Sequence, residues 1–124
     1  MNALAVFIGG GLGSLLRYGL GVLALRQFGA GYPLGTLLAN IAGSFLLGLL
    51  ARIGLDGKVS PATRLGLTTG LCGGFTTYST FNLETLSLLA DGHLAKGGGY
   101  LLVTVVLCGL AGAAGLWLGG RLSG

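Results

Sequence analysis

Long apolar segments alternate with short polar connections along the whole chain. Because about 20 apolar residues cross the hydrocarbon core of a bilayer, this pattern predicts four membrane-spanning segments. We place them in a single membrane domain, residues 1–124, at positions 3–25, 33–51, 61–89 and 97–118. The predicted fold class is an all-α integral membrane protein with four transmembrane helices in each protomer.

The third segment is too long for one straight span and contains the most polar uncharged stretch of the chain, residues 70–84. Gly73 and Gly74 weaken a helix there, since glycine loses the most backbone freedom on folding. Freed backbone carbonyls persist in a membrane only where another group satisfies them. We therefore predict a third helix broken near Gly73 and Gly74, whose carbonyls and neighbouring hydroxyls hold an ion or line its path.

The composition supports a membrane location and argues against an enzyme. Charged residues make up 8% of the chain and the mean hydropathy is +0.87, whereas about a quarter of the residues in a soluble domain are charged. The net charge of +4 comes without a basic cluster, so it reflects membrane-flanking residues and not a nucleic-acid surface. The sequence has no Ser-His-Asp set, carboxylate pair or metal-ligand cluster, so we expect no enzymatic activity.

Basic residues show only a modest bias between the two predicted sides of the membrane. The two sets are Arg52, Lys58, Arg64 and Arg121 on one side, and Arg26 and Lys96 on the other. Because loop lysines and arginines set the orientation of a membrane protein, this weak bias is compatible with insertion both ways round. Four thin spans cannot enclose both a pore and a packed core, which suggests an oligomer.

Glycines and cysteines inside the spans favour packing roles. G-x-x-x-G spacings predict close approach of helices. They occur at Gly9 and Gly13, at Gly66 and Gly70, at Gly70 and Gly74, and at Gly115 and Gly119. Cys72 and Cys108 lie in apolar stretches without metal-ligand spacing, so we interpret both as small buried residues.

A row of polar residues recurs in the second span. Thr36, Asn40 and Ser44 are spaced by four and therefore lie on one helical face. Two interpretations are about equal at this point: hydrogen bonds between helices, or a row of donors facing a pore. In the fourth span Tyr100 and Thr104 begin a weaker row that continues to Cys108, for which packing is at least as good an explanation.

Aromatic and ionisable residues raise a second set of alternatives. Tyr78 and Phe81 share a face beyond the predicted break, where they either pack in a core or turn positive ring edges toward an anion. Arg17 and Glu84 are the ionisable residues deepest within the spans. For Arg17 we favour an end-of-helix residue that snorkels to the interface. Glu84 follows the hydroxyl cluster by one turn, and we expect it to accept hydrogen bonds from nearby hydroxyls.

Three stretches of the chain resemble motifs of the Fluc (CrcB) family of fluoride channels. They read GGLGSLLRY at residues 10–18, PLGTLLANIAGSF at residues 33–45 and GGFTTYSTF at residues 73–81. The resemblance covers essentially the whole chain. It implies a fluoride-selective channel that exports fluoride passively across a bacterial or archaeal plasma membrane. It also implies an antiparallel, dual-topology homodimer with two pores.

The resemblance assigns roles to individual residues. It implies a structural sodium ion on the two-fold axis, held by the backbone carbonyls of Gly73 and Thr76. The fluoride pathway that we assign comprises Asn40, Tyr78, Phe81, Ser79, Thr80, Tyr100, Thr104 and Cys108. Further candidates are Arg17, Thr36, Ser44, Thr77 and Glu84. Two departures stand out, since the family usually has phenylalanine where Tyr78 stands and a hydroxyl residue where Cys108 stands.

Two other functions compete with a fluoride channel. A proton-coupled exporter of the small multidrug resistance type has a similar size, but it needs an acidic residue in the first span, and this sequence has none there. A non-transporting membrane scaffold would explain the glycine spacings but not the rows of donors.

Overall fold

The computed structural model describes residues 1–53, 55 and 57–124. In this part of the chain all regular structure is helical. The elements in order are α1 (Asn2–Phe28), α2 (Leu34–Arg52), α3 (Pro61–Leu65), a π-helical segment (Gly66–Cys72), α4 (Gly73–Phe75), α5 (Ser79–Ala90) and α6 (Leu94–Leu122).

Three of these helices, α1, α2 and α6, are long and apolar enough to cross a membrane. They contain 27, 19 and 29 residues and correspond to the first, second and fourth predicted segments. The remaining predicted segment is divided into two helical parts. Its first part runs from α3 through the π-helical segment into α4 without leaving helical backbone angles, and its second part is α5.

The interruption between these parts lies slightly later than the sequence indicated. Gly73 and Gly74 are still helical, and the chain leaves the helix at Thr76, with φ −86° and ψ 158°. We call residues 76–78 the break. The Cys72 carbonyl accepts from both the N–H and the hydroxyl of Thr76, each at 3.0 Å, so Thr76 closes the last turn of this helix. The break therefore follows the glycine pair by two residues.

The glycines of this region instead allow close packing against α1. A Cβ atom on Gly74 would collide with the backbone of Gly10, and one on Gly13 would collide with the Leu71 carbonyl. One on Gly70 would lie only 2.9 Å from the Val6 carbonyl oxygen. The predicted small-residue contacts are confirmed here, because only residues without a side chain fit between the two backbones.

Glycines also allow α2 to pack closely against α6. A Cβ atom on Gly115 would collide with the Phe45 carbonyl, and one on Gly119 would lie 2.8 Å from the Leu49 carbonyl oxygen. Gly48 approaches α6 in return, at the backbone of Gly112. The two helices therefore pack closely, and their polar rows meet at this interface.

Candidate ion site

Asn40 on α2 holds the break through the backbone of Thr77. Its side-chain Nδ2 donates to the Thr77 carbonyl at 3.0 Å, and its Oδ1 accepts from the Thr77 N–H at 2.8 Å. The hydroxyl of Thr77 accepts from the Thr80 N–H at 3.2 Å, near the start of α5. Thr77 is thus bonded through its N–H, its carbonyl and its hydroxyl, which satisfies backbone groups that a membrane cannot hydrate.

Arg17 on α1 holds the other side of the break. Its Nε donates to the Gly74 carbonyl at 3.2 Å, and the side chain is half-buried. Gly74 lies in the last turn of its helix, where carbonyls lack intrahelical partners and the helix dipole favours a cation. This contact corrects the expectation that Arg17 snorkels to the membrane interface, because the guanidinium binds a neighbouring helix.

A cleft of about 300 Å³ opens beside the break, between α2 and α6. Five of the eight predicted pathway residues and two of the further candidates line it. The lining residues are Asn40, Ser44, Thr76, Thr77, Tyr78, Phe81, Thr104, Val105 and Cys108. Ser79 and Thr80 lie at the start of α5, outside this lining, so the structure does not bring them to the same place.

Thr104 contributes the most unusual polar group of the cleft. The residue is 5% exposed, and within the described part of the chain its hydroxyl has no hydrogen-bond partner. A buried hydroxyl without a partner costs about 1–3 kcal/mol. Thr104 lines the cleft while its hydroxyl oxygen is almost inaccessible, so rotation of the side chain toward the cleft would let a water molecule or a bound ion satisfy it.

Aromatic rings continue from the cleft into the core. Tyr78 and Phe81 lie with ring centroids 5.8 Å apart in an edge-to-face arrangement, and Phe81 and Tyr100 lie 5.2 Å apart in the same way. Phe81 and Tyr100 are buried together with Leu37, whereas Tyr78 is 75% exposed. The two aromatic residues therefore differ. Phe81 packs in the core and also lines the cleft, whereas Tyr78 lines the cleft and is largely exposed.

A second polar group lies farther along α6. The Tyr100 hydroxyl donates to Glu84 Oε1 at 3.2 Å, and the Thr36 side chain reaches the same hydroxyl. Thr36 and Glu84 also line a cavity of about 260 Å³ together with Tyr32. Glu84 accepts from a hydroxyl as expected, and this hydroxyl belongs to Tyr100 on another helix and not to the cluster before it in the chain. The sequence could not indicate this pairing, because it depends on how α5 packs on α6.

The polar rows of α2 and α6 therefore face each other. Thr36 reaches Tyr100 at one end of the interface, and Ser44 reaches Cys108 at the other. The first interpretation of the α2 row holds for Asn40, whose amide bonds the break, whereas a row of donors facing a pore stays a prediction. Thr77 was among the further candidates from the sequence, but its pairing with Asn40 was not predicted. The available signal was that a buried asparagine amide needs both a donor and an acceptor nearby.

Comparison with known proteins identifies the family. The profile described as CrcB-like protein, Camphor Resistance (CrcB), matches residues 4–116. The chain belongs to the CrcB-like family. The match includes α1, α2, both parts of the broken helix and the α6 row, so the cleft is built entirely from residues within the family profile.

Individual CrcB-like relatives match over nearly their whole length. The fluoride-specific ion channel FluC of Thermus thermophilus is 47% identical over 121 residues, which cover 98% of this chain and 97% of the relative. The protein of the same name from Anaeromyxobacter sp. (strain K) is 49% identical, covering 94% and 97%. The one from Sorangium cellulosum is 46% identical, covering 93% and 91%. The similarity therefore extends over the complete helical arrangement.

Proposed function

We propose that this chain is a fluoride channel that lets fluoride leave the bacterial cytoplasm passively through the inner membrane. We infer the transported ion from the names of the relatives, which are fluoride-specific ion channels. The observation that carries the proposal is the unpartnered Thr104 hydroxyl, which is enclosed at a cleft lined by other neutral donors. A small anion that leaves its hydration shell needs such donors along its path.

The cleft suits transport better than tight binding. Its lining contains no lysine, arginine, aspartate or glutamate among the residues that the structure describes. Asn40 keeps one amide N–H beyond the one given to Thr77, and the hydroxyls of Ser44 and Thr104 add further donors. Neutral donors stabilise an anion without trapping it as a fixed cation would, which conduction requires.

The pathway that we propose follows the interface of α2 with α6. It runs along Asn40, Thr104 and Cys108 at the cleft, with Tyr78 and Phe81 presenting ring edges beside them. Tyr100 belongs to the continuation toward Glu84 and Thr36. Ser79 and Thr80 have weaker support, because neither lines the cleft.

We further propose a structural sodium ion at the carbonyls of Gly73 and Thr76. The donor set fits a hard cation, which prefers oxygen ligands. Among the described residues neither carbonyl receives a hydrogen bond, and the space beside the Gly73 Cα atom is open. Two carbonyls are too few for one ion, so the site requires the same pair from a second protomer. The ion would offset the negative end of the broken helix.

The second protomer is proposed to lie antiparallel to the first, in a dual-topology homodimer. Support comes from the weak bias of basic residues and from the open cleft, at whose side Tyr78 is 75% exposed. A cysteine added at the C-terminus of a chain in which Cys72 and Cys108 are replaced tests this orientation in cells. A membrane-impermeant thiol reagent should label part of the protein in intact cells and the rest only after the cells are permeabilised. Labelling that is complete or absent before permeabilisation would count against dual insertion.

Efflux from proteoliposomes tests the proposed function. Vesicles loaded with fluoride and containing the purified protein should release fluoride, whereas chloride-loaded vesicles and protein-free vesicles should not. Proton-driven movement of a drug cation without fluoride release would favour the multidrug exporter instead. Absence of both fluxes from a folded protein would favour a scaffold.

A further inference from the structure

Two arginines lie at the same end of the helix bundle, where α2 and α6 both finish. Arg52 is the last residue of α2, and Arg121 lies in the last turn of α6. Both side chains are exposed. Neither guanidinium group has a carboxylate partner among the residues that the structure describes. These two residues, which we call the arginine pair, therefore present two uncompensated positive charges at one end of the molecule.

Packing against α6 fixes the position of Arg52. A Cβ atom on Gly119 would lie 2.7 Å from the Arg52 Cβ atom, and one on Gly120 would lie 3.2 Å from the Arg52 Nε atom. The Ser123 hydroxyl donates to the Gly119 carbonyl at 2.7 Å and lies 3.3 Å from the Arg52 carbonyl oxygen. Because the two glycines have no side chains, the Arg52 side chain lies directly on the last turn of α6.

The other member of the arginine pair lies over the only tryptophan of the chain. The guanidinium carbon of Arg121 is 5.0 Å from the centroid of the Trp117 ring, which is a cation–π contact. Trp117 is 63% exposed. Gly120 and Arg121 follow it by three and four positions, so they share its face of α6. The indole therefore lies on the same face as both guanidinium groups.

Trp117 also marks the depth of this surface in the membrane. Tryptophan is enriched where the hydrocarbon core meets the headgroups. Farther toward the membrane centre, Val106 and Leu110 are exposed on the same face of α6. This face is thus apolar along the helix and ends in two guanidinium groups at the level of the headgroups. The same order of groups occurs in a phospholipid, whose acyl chains lead to a phosphate.

The charge at this end of the molecule favours an anionic lipid. Besides the arginine pair, Lys58 lies in the connection after α2 and Arg64 lies in α3. One acidic residue, Asp56, belongs to the same connection and lies outside the described residues. The other two, Glu84 and Asp91, lie in α5 or directly after it, away from this end. The excess of basic residues attracts anions to this surface.

We propose that the arginine pair and Trp117 form a binding site for the headgroup of an anionic phospholipid. A guanidinium group donates two parallel N–H bonds to phosphate oxygens, and it also stacks on an aromatic ring. A zwitterionic headgroup carries its own cation, which repels the arginines, whereas phosphatidylglycerol carries none. Because each basic residue near an anionic lipid surface raises the affinity about fivefold, we expect a preference for the anionic lipid of about that factor or more.

Fluorescence of Trp117 tests the site directly, because the chain has no other tryptophan. The protein is reconstituted in vesicles of phosphatidylcholine and phosphatidylglycerol in equal amounts, with brominated acyl chains on one lipid or on the other. Bromine quenches tryptophan fluorescence on contact. Brominated phosphatidylglycerol should quench Trp117 more strongly than brominated phosphatidylcholine, and high salt should reduce the difference by screening. Equal quenching by the two lipids would overturn the proposal.

Three variants separate this site from the general positive charge around it. Arg52→Gln/Arg121→Gln removes both charges and should abolish the preference. Arg52→Gln alone should lower it about fivefold. Lys58→Gln removes one charge at the same end, from an ammonium group that donates to the Ile53 carbonyl, and should keep the preference of the wild type.

Two further outcomes would also contradict the lipid site. An equal loss of preference in Arg52→Gln and Lys58→Gln would mean that diffuse charge attracts the lipid. Absence of quenching by either brominated lipid would mean that a second protomer covers Trp117. None of these measurements depends on fluoride transport.

Discussion

Asn40 and Thr77 lie 37 positions apart in the sequence and are joined by two hydrogen bonds. The asparagine side-chain amide bonds both the backbone N–H and the backbone carbonyl of Thr77. This pair replaces the helical hydrogen bonds that end at the break. It also places the asparagine at the cleft, next to the row that faces α6. Asn40 therefore has a positioning role in addition to the proposed contact with the anion.

Aspartate has nearly the same volume as asparagine, so Asn40→Asp tests both roles of the amide without opening a cavity. The carboxylate can still accept from the Thr77 N–H, but it cannot donate to the Thr77 carbonyl and it repels an anion. We expect Asn40→Asp to abolish most fluoride efflux and to lower the free energy of unfolding by about 1–3 kcal/mol, the cost of an unsatisfied buried group. Vesicle efflux and chemical unfolding in detergent measure the two effects.

The control for this change is Asn2→Asp, at an exposed position at the start of α1. It introduces the same charge far from the break and should leave both measurements close to those of the wild type. Undiminished efflux of correctly folded Asn40→Asp would remove this residue from the pathway.

The contact of Arg17 with Gly74 predicts a second effect on the break. Arg17→Met removes the donor to the Gly74 carbonyl and should lower the free energy of unfolding by about 1–3 kcal/mol. Relief of a buried charge should offset only part of this loss, because Arg17 is half-buried and lines a cavity of about 450 Å³. The matched control is Arg26→Met, at an exposed position on the same helix. Equal stability of the two variants would argue against the Arg17 contact.

Close packing of α1 on the broken helix can be tested with two alanines. A Cβ atom at Gly74 collides with the Gly10 backbone, whereas one at Gly11 meets nothing within 4 Å. Gly74→Ala should therefore destabilise the protein by about 1–3 kcal/mol through overpacking. Gly11→Ala should stabilise α1 or leave it unchanged, because alanine favours helix over glycine by about 1 kcal/mol. Thermal unfolding of both variants measures the difference, and the reverse order would contradict the packing described here.

Thr104→Val should lower fluoride efflux without lowering the stability of the protein. Valine keeps the shape of threonine but removes the unpartnered hydroxyl, so the free energy of unfolding should stay the same or rise by about 1 kcal/mol. Fluoride efflux should fall, because the cleft loses a donor. Thr104→Ser keeps the hydroxyl and should retain more of the efflux than the valine variant. If Thr104→Val transports as well as the wild type, its hydroxyl is not a donor to the anion.

The three long helices and the faces on which they pack follow from the sequence alone. Long apolar runs can satisfy their backbone groups in a bilayer only as helices, so α1, α2 and α6 follow from composition and length. Gly13 and Gly74 each belong to a G-x-x-x-G spacing, with Gly9 and with Gly70, which predicts the close approach of two backbones. These properties are local, and the sequence states them directly.

The position of the break in the third helix and the pairing of the polar groups depend on how the helices pack. The glycine pair marked the region, but its helix penalty of about 1 kcal/mol per residue is small. The end of the helix is fixed by Arg17 and Asn40, which lie 57 and 37 positions from the residues they bind. The bond from Tyr100 to Glu84 depends in the same way on the packing of α6 against α5. Such partners become neighbours only when helices pack, because helical spacing gives the face of a residue and not the residue opposite.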